Sequence, residues 1–129
     1  MDWTGHGSVN LWRGNILTSA DAANLTEGSG LALFTMMTCL NGYDADPHLP
    51  CIGEAFVVAP NRGAIAVWAS SAETVASDQT MIQREFYTLL FNDPTLTIGE
   101  AAARAKAATS VQDPRRTWIL LGDPMTKLR

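Results

Sequence analysis

The sequence predicts an α/β domain with parallel strands, on three observations. Leu31–Thr38 and Ala64–Ala69 are short, nearly continuous apolar runs preceded by glycine, the pattern of strands covered on both faces. Segments with helical spacing and readable end signals lie between and after them. Gly5-His6-Gly7 and Cys39, the residues best equipped for chemistry, fall where hydrophobic strands run out into glycine-bearing loops. In an open parallel sheet the crevice beyond the carboxyl ends of the strands is the natural ligand site.

In chain order, Asp2-Trp3-Thr4 reads as the stub of a strand whose beginning is missing, so the chain is expected to start mid-sheet. A short helix is predicted around Ser19–Leu25, then the strand Leu31–Thr38, then a helix over about Cys51–Val58. The strand Ala64–Ala69 follows, and a longer helix over about Asp78–Phe91, where Ile82, Phe86, Leu89 and Leu90 make one buried stripe. An alanine-rich helix spans Ile98–Ala108. It opens on the capping box Thr97-Ile98-Gly99-Glu100, and Glu100 can pair with Arg104 one turn on. Thr117–Leu121 is the third apolar strand, closed by a Gly122-Asp123-Pro124 turn. No internal repeat and no linker divides the chain, so residues 1–129 are read as one domain.

Composition bounds the function. Of 129 residues 47% are hydrophobic and 17% charged, as in a folded globular protein. Thirteen acidic against nine basic residues, a net charge of −4 and no basic run argue against nucleic acid as a partner. The longest uncharged apolar run, Leu31–Leu40, is too short to span a bilayer, and the first residues lack the basic-then-apolar order of a signal peptide, so no membrane attachment is expected. Two cysteines make no disulfide framework, and a Cys39–Cys51 bridge would silence a nucleophile.

Cys39 is the first candidate for chemistry, since the thiolate is the reactive species and a strand-end cysteine can be exposed; the plainer reading is a buried structural thiol. His6 is its partner candidate, and its flanking glycines suit either a tight turn or close backbone approach to a substrate carbonyl. The Gly7 and Cys39 amides are then the natural oxyanion donors. Cys51 follows Pro50 and opens a helix, but it leads into Ile52, Ala55 and Phe56 and reads as structural. His48, Asp44 and Asp46 read as loop residues. The cysteines and histidines lack the close spacing of a zinc site, so neither metal nor cofactor is expected.

Gly5-His6-Gly7-Ser8, Thr38-Cys39-Leu40-Asn41-Gly42, Cys51-Ile52-Gly53-Glu54-Ala55, Gly63–Ser71 and Leu121-Gly122-Asp123-Pro124 together resemble the gingipain-type cysteine peptidases, of the clan of caspases and legumains. The resemblance runs through the whole chain in consistent order. It implies a caspase-like three-layer sandwich with a mostly parallel sheet, Cys39 as nucleophile, His6 as acid/base, and Gly7 with Cys39 as oxyanion hole. Peptide-bond hydrolysis through a thioester, on a protein or peptide substrate, follows from it. Thr4, Met37, Trp68 and Ser70, at strand ends beside the dyad, are the expected walls for the residue before the scissile bond.

The family carries several strands and helices ahead of its Gly-His-Gly loop, so the chain is expected to be the back part of a catalytic domain. Asp2 departs from the family's hydrophobic strand, and Met125-Thr126 reverses the usual order. The uncovered sheet edge is expected to recruit a second copy or a front-half partner. Secretion is suggested by the resemblance alone. The competing readings are an inactive fold serving as an interaction module and a caspase-like domain of helical-repeat sensors.

Overall fold

The computed structural model describes residues 1–26, 30–60 and 62–128. Asp2–Thr4 forms β1, and a small antiparallel hairpin of β2 (Gly7–Ser8) and β3 (Leu11–Trp12) follows at once. Then come α1 (Ser19–Ala23), β4 (Ala32–Met37), α2 (Ile52–Val58), β5 (Ala64–Ser70), α3 (Ala76–Asn92), α4 (Ile98–Ala108), α5 (Gln112–Thr117) and β6 (Trp118–Gly122). The main sheet runs β1-β4-β5-β6. Its first three strands are parallel, as the continuous apolar runs require, whereas β6 is antiparallel to β5. The reversal follows from two helices crossing between β5 and β6: α4 begins beside the end of β6, where Gly99 N donates to Pro124 O, and ends beside its start, where Lys106 Nζ donates to Trp118 O, so the chain re-enters the sheet at the carboxyl end of β5. The short helix α5, which the sequence reading missed, runs directly into β6.

Strand alternation divides the core into two layers. Leu33 and Met37 of β4, with Ala66 and Trp68 of β5, face α3 and α4, packing on Ile82, Phe86, Leu90, Ile98, Ala101 and Ala105. Phe34, Met36, Val67 and Ala69 face the other way, onto Ala22 of α1 and Ile52, Ala55 and Phe56 of α2. Ala64 lies on this second face although Ala66 lies on the first. The pairing explains the switch, since Ala32 opposes Ala64 while Leu33 opposes Ala66, leaving Ile65 as an extra residue in β5. The result is a sheet between two helical layers, the caspase-like sandwich.

Helix starts follow local chemistry. Thr18, Cys51 and Thr97 each cap a helix, accepting from the backbone of Asp21, Glu54 and Glu100, whose carboxylates bond back to the cap residue's N–H. At Cys51 a sulfur does what a hydroxyl usually does, at 3.4 Å from the Glu54 nitrogen. Ile82, Phe86 and Leu90 are buried as the stripe predicts, with Leu89 packed at its margin. Asp2 is accommodated in β1 because Thr35 Oγ1 and Gln83 Nε2 donate to its carboxylate, as does Tyr87 Oη at 3.3 Å. Among the described residues no helix is long and apolar enough to cross a membrane.

Candidate active site

β1 and β4 bring the two loops of interest to the carboxyl-terminal end of the sheet. Thr4 pairs with Met37 in parallel register, and Gly5 N donates to Met37 O at 3.2 Å. His6 and Cys39 are therefore each two residues beyond the same aligned pair, on neighbouring strands that are spaced about 4.8 Å apart. His6 is exposed and Cys39 half-buried. A β-carbon on Gly7 would come within 3.1 Å of both terminal atoms of the Asn41 side chain, so the loops are in direct contact.

The turn after His6 is fixed by its own hairpin. Arg13 N donates to His6 O at 2.9 Å, which puts Gly7, opposite Trp12, at a non-hydrogen-bonded position of the ladder. At such a position the N–H is directed away from the partner strand. The Gly7 amide is thus left for another acceptor, as an oxyanion donor must be. Trp12 stacks on Trp3 with ring centroids 4.5 Å apart, holding the hairpin against β1.

The cysteine loop is held from the other side by the segment after β5. Leu40 N donates to Ala72 O at 3.2 Å and Gly42 N to Ser70 O at 2.8 Å. Cys39 Sγ lies 3.8 Å from Thr74 O, and Thr74 is fixed in turn by the buried Gln79, whose Nε2 donates to its hydroxyl at 2.5 Å. Leu40 adopts φ 61°, a left-handed conformation that costs a branched residue about 1 kcal/mol or more, and it turns the chain sharply after the nucleophile candidate.

α2 ties both loops together. Its first two amides, which a helix leaves unbonded internally, go to Val9 O of the histidine hairpin (from Ile52, 2.9 Å) and to Asn41 O of the cysteine loop (from Gly53, 3.0 Å). Gly53 is needed here, because a β-carbon would stand 2.9 Å from that same carbonyl.

The two cysteines have different surroundings. Both are free. Cys51 is fully buried, and burial pushes its thiol up to about 11, leaving it inert at neutral pH. Of the expected wall residues, Thr4 is exposed, with its hydroxyl 3.4 Å from Asp2 Oδ2. Met37 and Trp68 are 1% exposed and pack in the α3–α4 layer, Trp68 stacked on Phe86 at 5.1 Å. Ser70 is buried at the end of β5, donating to Ala72 O at 2.9 Å. Met37 and Trp68 thus lie beneath the site surface. Asp46 accepts from the backbone of His48 and Leu49, as an ordinary turn residue does. Among the described residues no group of three histidine, cysteine or acidic side chains could hold a metal.

The sequence profile of peptidase family C25 matches residues 1–129. The chain belongs to that family. Among curated proteins none matches. Three solved structures are similar. The Arg-specific cysteine proteinase gingipain R (RgpB) is 24% identical with a TM-score of 0.84, over 99% of this chain and 33% of that one. The complex of Porphyromonas gingivalis RgpB pro- and mature domains is 22% identical with a TM-score of 0.79, over 96% of this chain and 32% of that one. A third, described as a protease, is 18% identical with a TM-score of 0.77, over 98% and 34%. These likenesses show the fold, and the C25 chain spans about a third of their length. Three residues that hold this C25 junction together, Asn41, Gly53 and Gln79, were given no such role in the sequence reading. The one signal for Asn41 was an amide placed between an apolar strand and Gly42.

Proposed function

We propose that this chain carries the nucleophile and acid/base of a cysteine endopeptidase, Cys39 and His6. The observation that supports it most is the register of Thr4 with Met37, which sends both residues off the carboxyl ends of neighbouring parallel strands. In the reaction, Cys39 Sγ attacks the scissile carbonyl carbon after its proton has passed to the His6 imidazole. The negative oxygen of the tetrahedral intermediate accepts from the Gly7 and Cys39 amides. Collapse breaks the C–N bond, His6 returns the proton to the leaving amine, and a thioester remains. Water, deprotonated by His6, then attacks the thioester and releases the acid product with the thiol restored.

The substrate is a protein or peptide. Thr4, Met37, Trp68 and Ser70 support the subsite for the residue before the cleaved bond, Met37 and Trp68 as its floor. No basic side chain belongs to this set, so an acidic residue there would lose its hydration without a counter-charge. Cleavage after Arg, Lys or an uncharged residue is expected in preference to Asp or Glu. A positional peptide library tests this, and a clear preference for Asp would refute it.

Limiting iodoacetamide on the native chain tests the dyad. Adducts should map to Cys39 and spare Cys51, and His6→Ala should slow Cys39 alkylation below pH 7 while leaving the melting temperature near that of the parent, since His6 is exposed. Preferential labelling of Cys51, or a His6→Ala profile identical to the parent, would overturn the assignment.

A further inference from the structure

We infer that Asn41 is a positioning residue: it clamps the histidine hairpin onto the cysteine loop and so sets the separation of His6 and Cys39, an inference that rests on the dyad proposed above. Asn41 is fully buried only two residues after Cys39. Its Nδ2 donates to Ser8 O and, at 3.4 Å, to Leu11 O, the pair of residues that closes the β2–β3 hairpin. Its backbone is fixed independently, by Gly53 N donating to Asn41 O at 3.0 Å and by Gly42 N bonding Ser70 O. One end of the residue thus belongs to the cysteine loop and the other holds the turn that begins at His6.

The chemistry of the side chain is specific. Ser8 and Leu11 face each other as the hydrogen-bonded pair of the hairpin; each carbonyl has a second lone pair, and an amide nitrogen has two hydrogens to give. A carboxylate would set acceptor against acceptor, and a methyl group would remove the direct link between the loops, leaving the hairpin held by the Trp3–Trp12 stack and the Ile52–Val9 bond. Asn41 Oδ1 and Thr38 Oγ1 are both buried with no protein partner, and both border Gly7. The amide is thus oriented by its donor end, which has both of its protein partners, while its oxygen has none. Ser8 is two residues from His6 and Thr38 immediately precedes Cys39, so a loosened amide would move both halves of the dyad.

The test is the pH profile of Cys39 alkylation by iodoacetamide in the 129-residue chain, with adducts mapped by mass spectrometry, for the parent, Asn41→Asp, Asn41→Ala and His6→Ala. An imidazole-paired cysteine reacts well below the ordinary thiol pKa, and an unpaired one does not. Folded Asn41→Asp and Asn41→Ala should lose about tenfold or more of the rate at pH 6 and shift toward the His6→Ala profile. A Thr97→Ala control, destabilised far from the site, should keep the parent profile. Folded Asn41 variants that keep the parent profile would overturn the inference. If His6→Ala itself matches the parent, the dyad reading fails instead. If neither Asn41 variant folds, NMR of the parent decides: the Asn41 side-chain amide protons should be protected from exchange and their resonances should move on alkylation of Cys39. Unprotected or unmoved signals would overturn the clamp.

Discussion

Gly7 lies so close to Thr38 that a β-carbon on the glycine would stand 2.5 Å from the threonine hydroxyl oxygen. Thr38 is fully buried and cannot swing away. Gly7→Ala should therefore force the two loops apart, costing about 1–3 kcal/mol as overpacking does. Urea denaturation measures the loss. Thr38→Ser should leave the Gly7→Ala clash in place, because the offending atom is the oxygen.

Cys51 should make stability fall in alkali. Its thiol, ordinarily titrating at 9.0, is pushed up to about 11 by burial. Between those values the unfolded chain has lost a proton that the folded chain retains, so stability drops as pH rises through that window. Cys51→Ser keeps an oxygen for the α2 cap and removes the titration. Relative to the parent it should gain about 2 kcal/mol between pH 8 and pH 10.5, read from urea midpoints.

Thr97 anchors α4 through the hydroxyl that accepts from Glu100 N at 3.1 Å. Thr97→Ala should cost about 1 kcal/mol. Hydrogen bonding by the Thr97 backbone holds the Glu100 carboxyl below its ordinary value, so the contribution of Glu100 is present above that ordinary value and is lost as pH falls through the lowered one. Acid titrations of the parent and Glu100→Gln should diverge above that range and converge below it.

Trp68 separates a subsite floor from plain packing. It is 1% exposed between Phe86 and Trp118, so Trp68→Ala should destabilise by about 3–5 kcal/mol. Trp68→Phe should cost less, and as a floor it should also change the KM of peptides varied at the residue before the cleaved bond. An unchanged KM would make Trp68 purely structural.

The parts of this fold legible in the sequence are those with local causes. The runs at 31–38 and 64–69 foretold parallel strands because both faces of β4 and β5 are covered, and the Thr97–Glu100 spacing announced α4. The caps at Thr18 and Cys51 went unread, the latter because a thiol rarely serves there. The β2–β3 hairpin has only two residues per strand and no alternation to detect. α5 is six residues long with Pro114 in it, and the direction of β6 follows from the second crossing of the sheet by α4. In the candidate site, residue type and position singled out Cys39 and His6, and the Thr4–Met37 register sets each two residues beyond one aligned pair. The hold of Asn41 on Ser8 and Leu11 spans some thirty residues and leaves no periodic trace.

Ile52 and Gly53 give the first amides of α2 to the two loops rather than to solvent. Fraying of that single helical turn would release Val9 and Asn41 together. The integrity of the junction is then a property of α2 as well as of the Asn41 side chain, and a local opening there, far cheaper than global unfolding, would let the histidine hairpin and the cysteine loop drift apart while the sheet stayed intact.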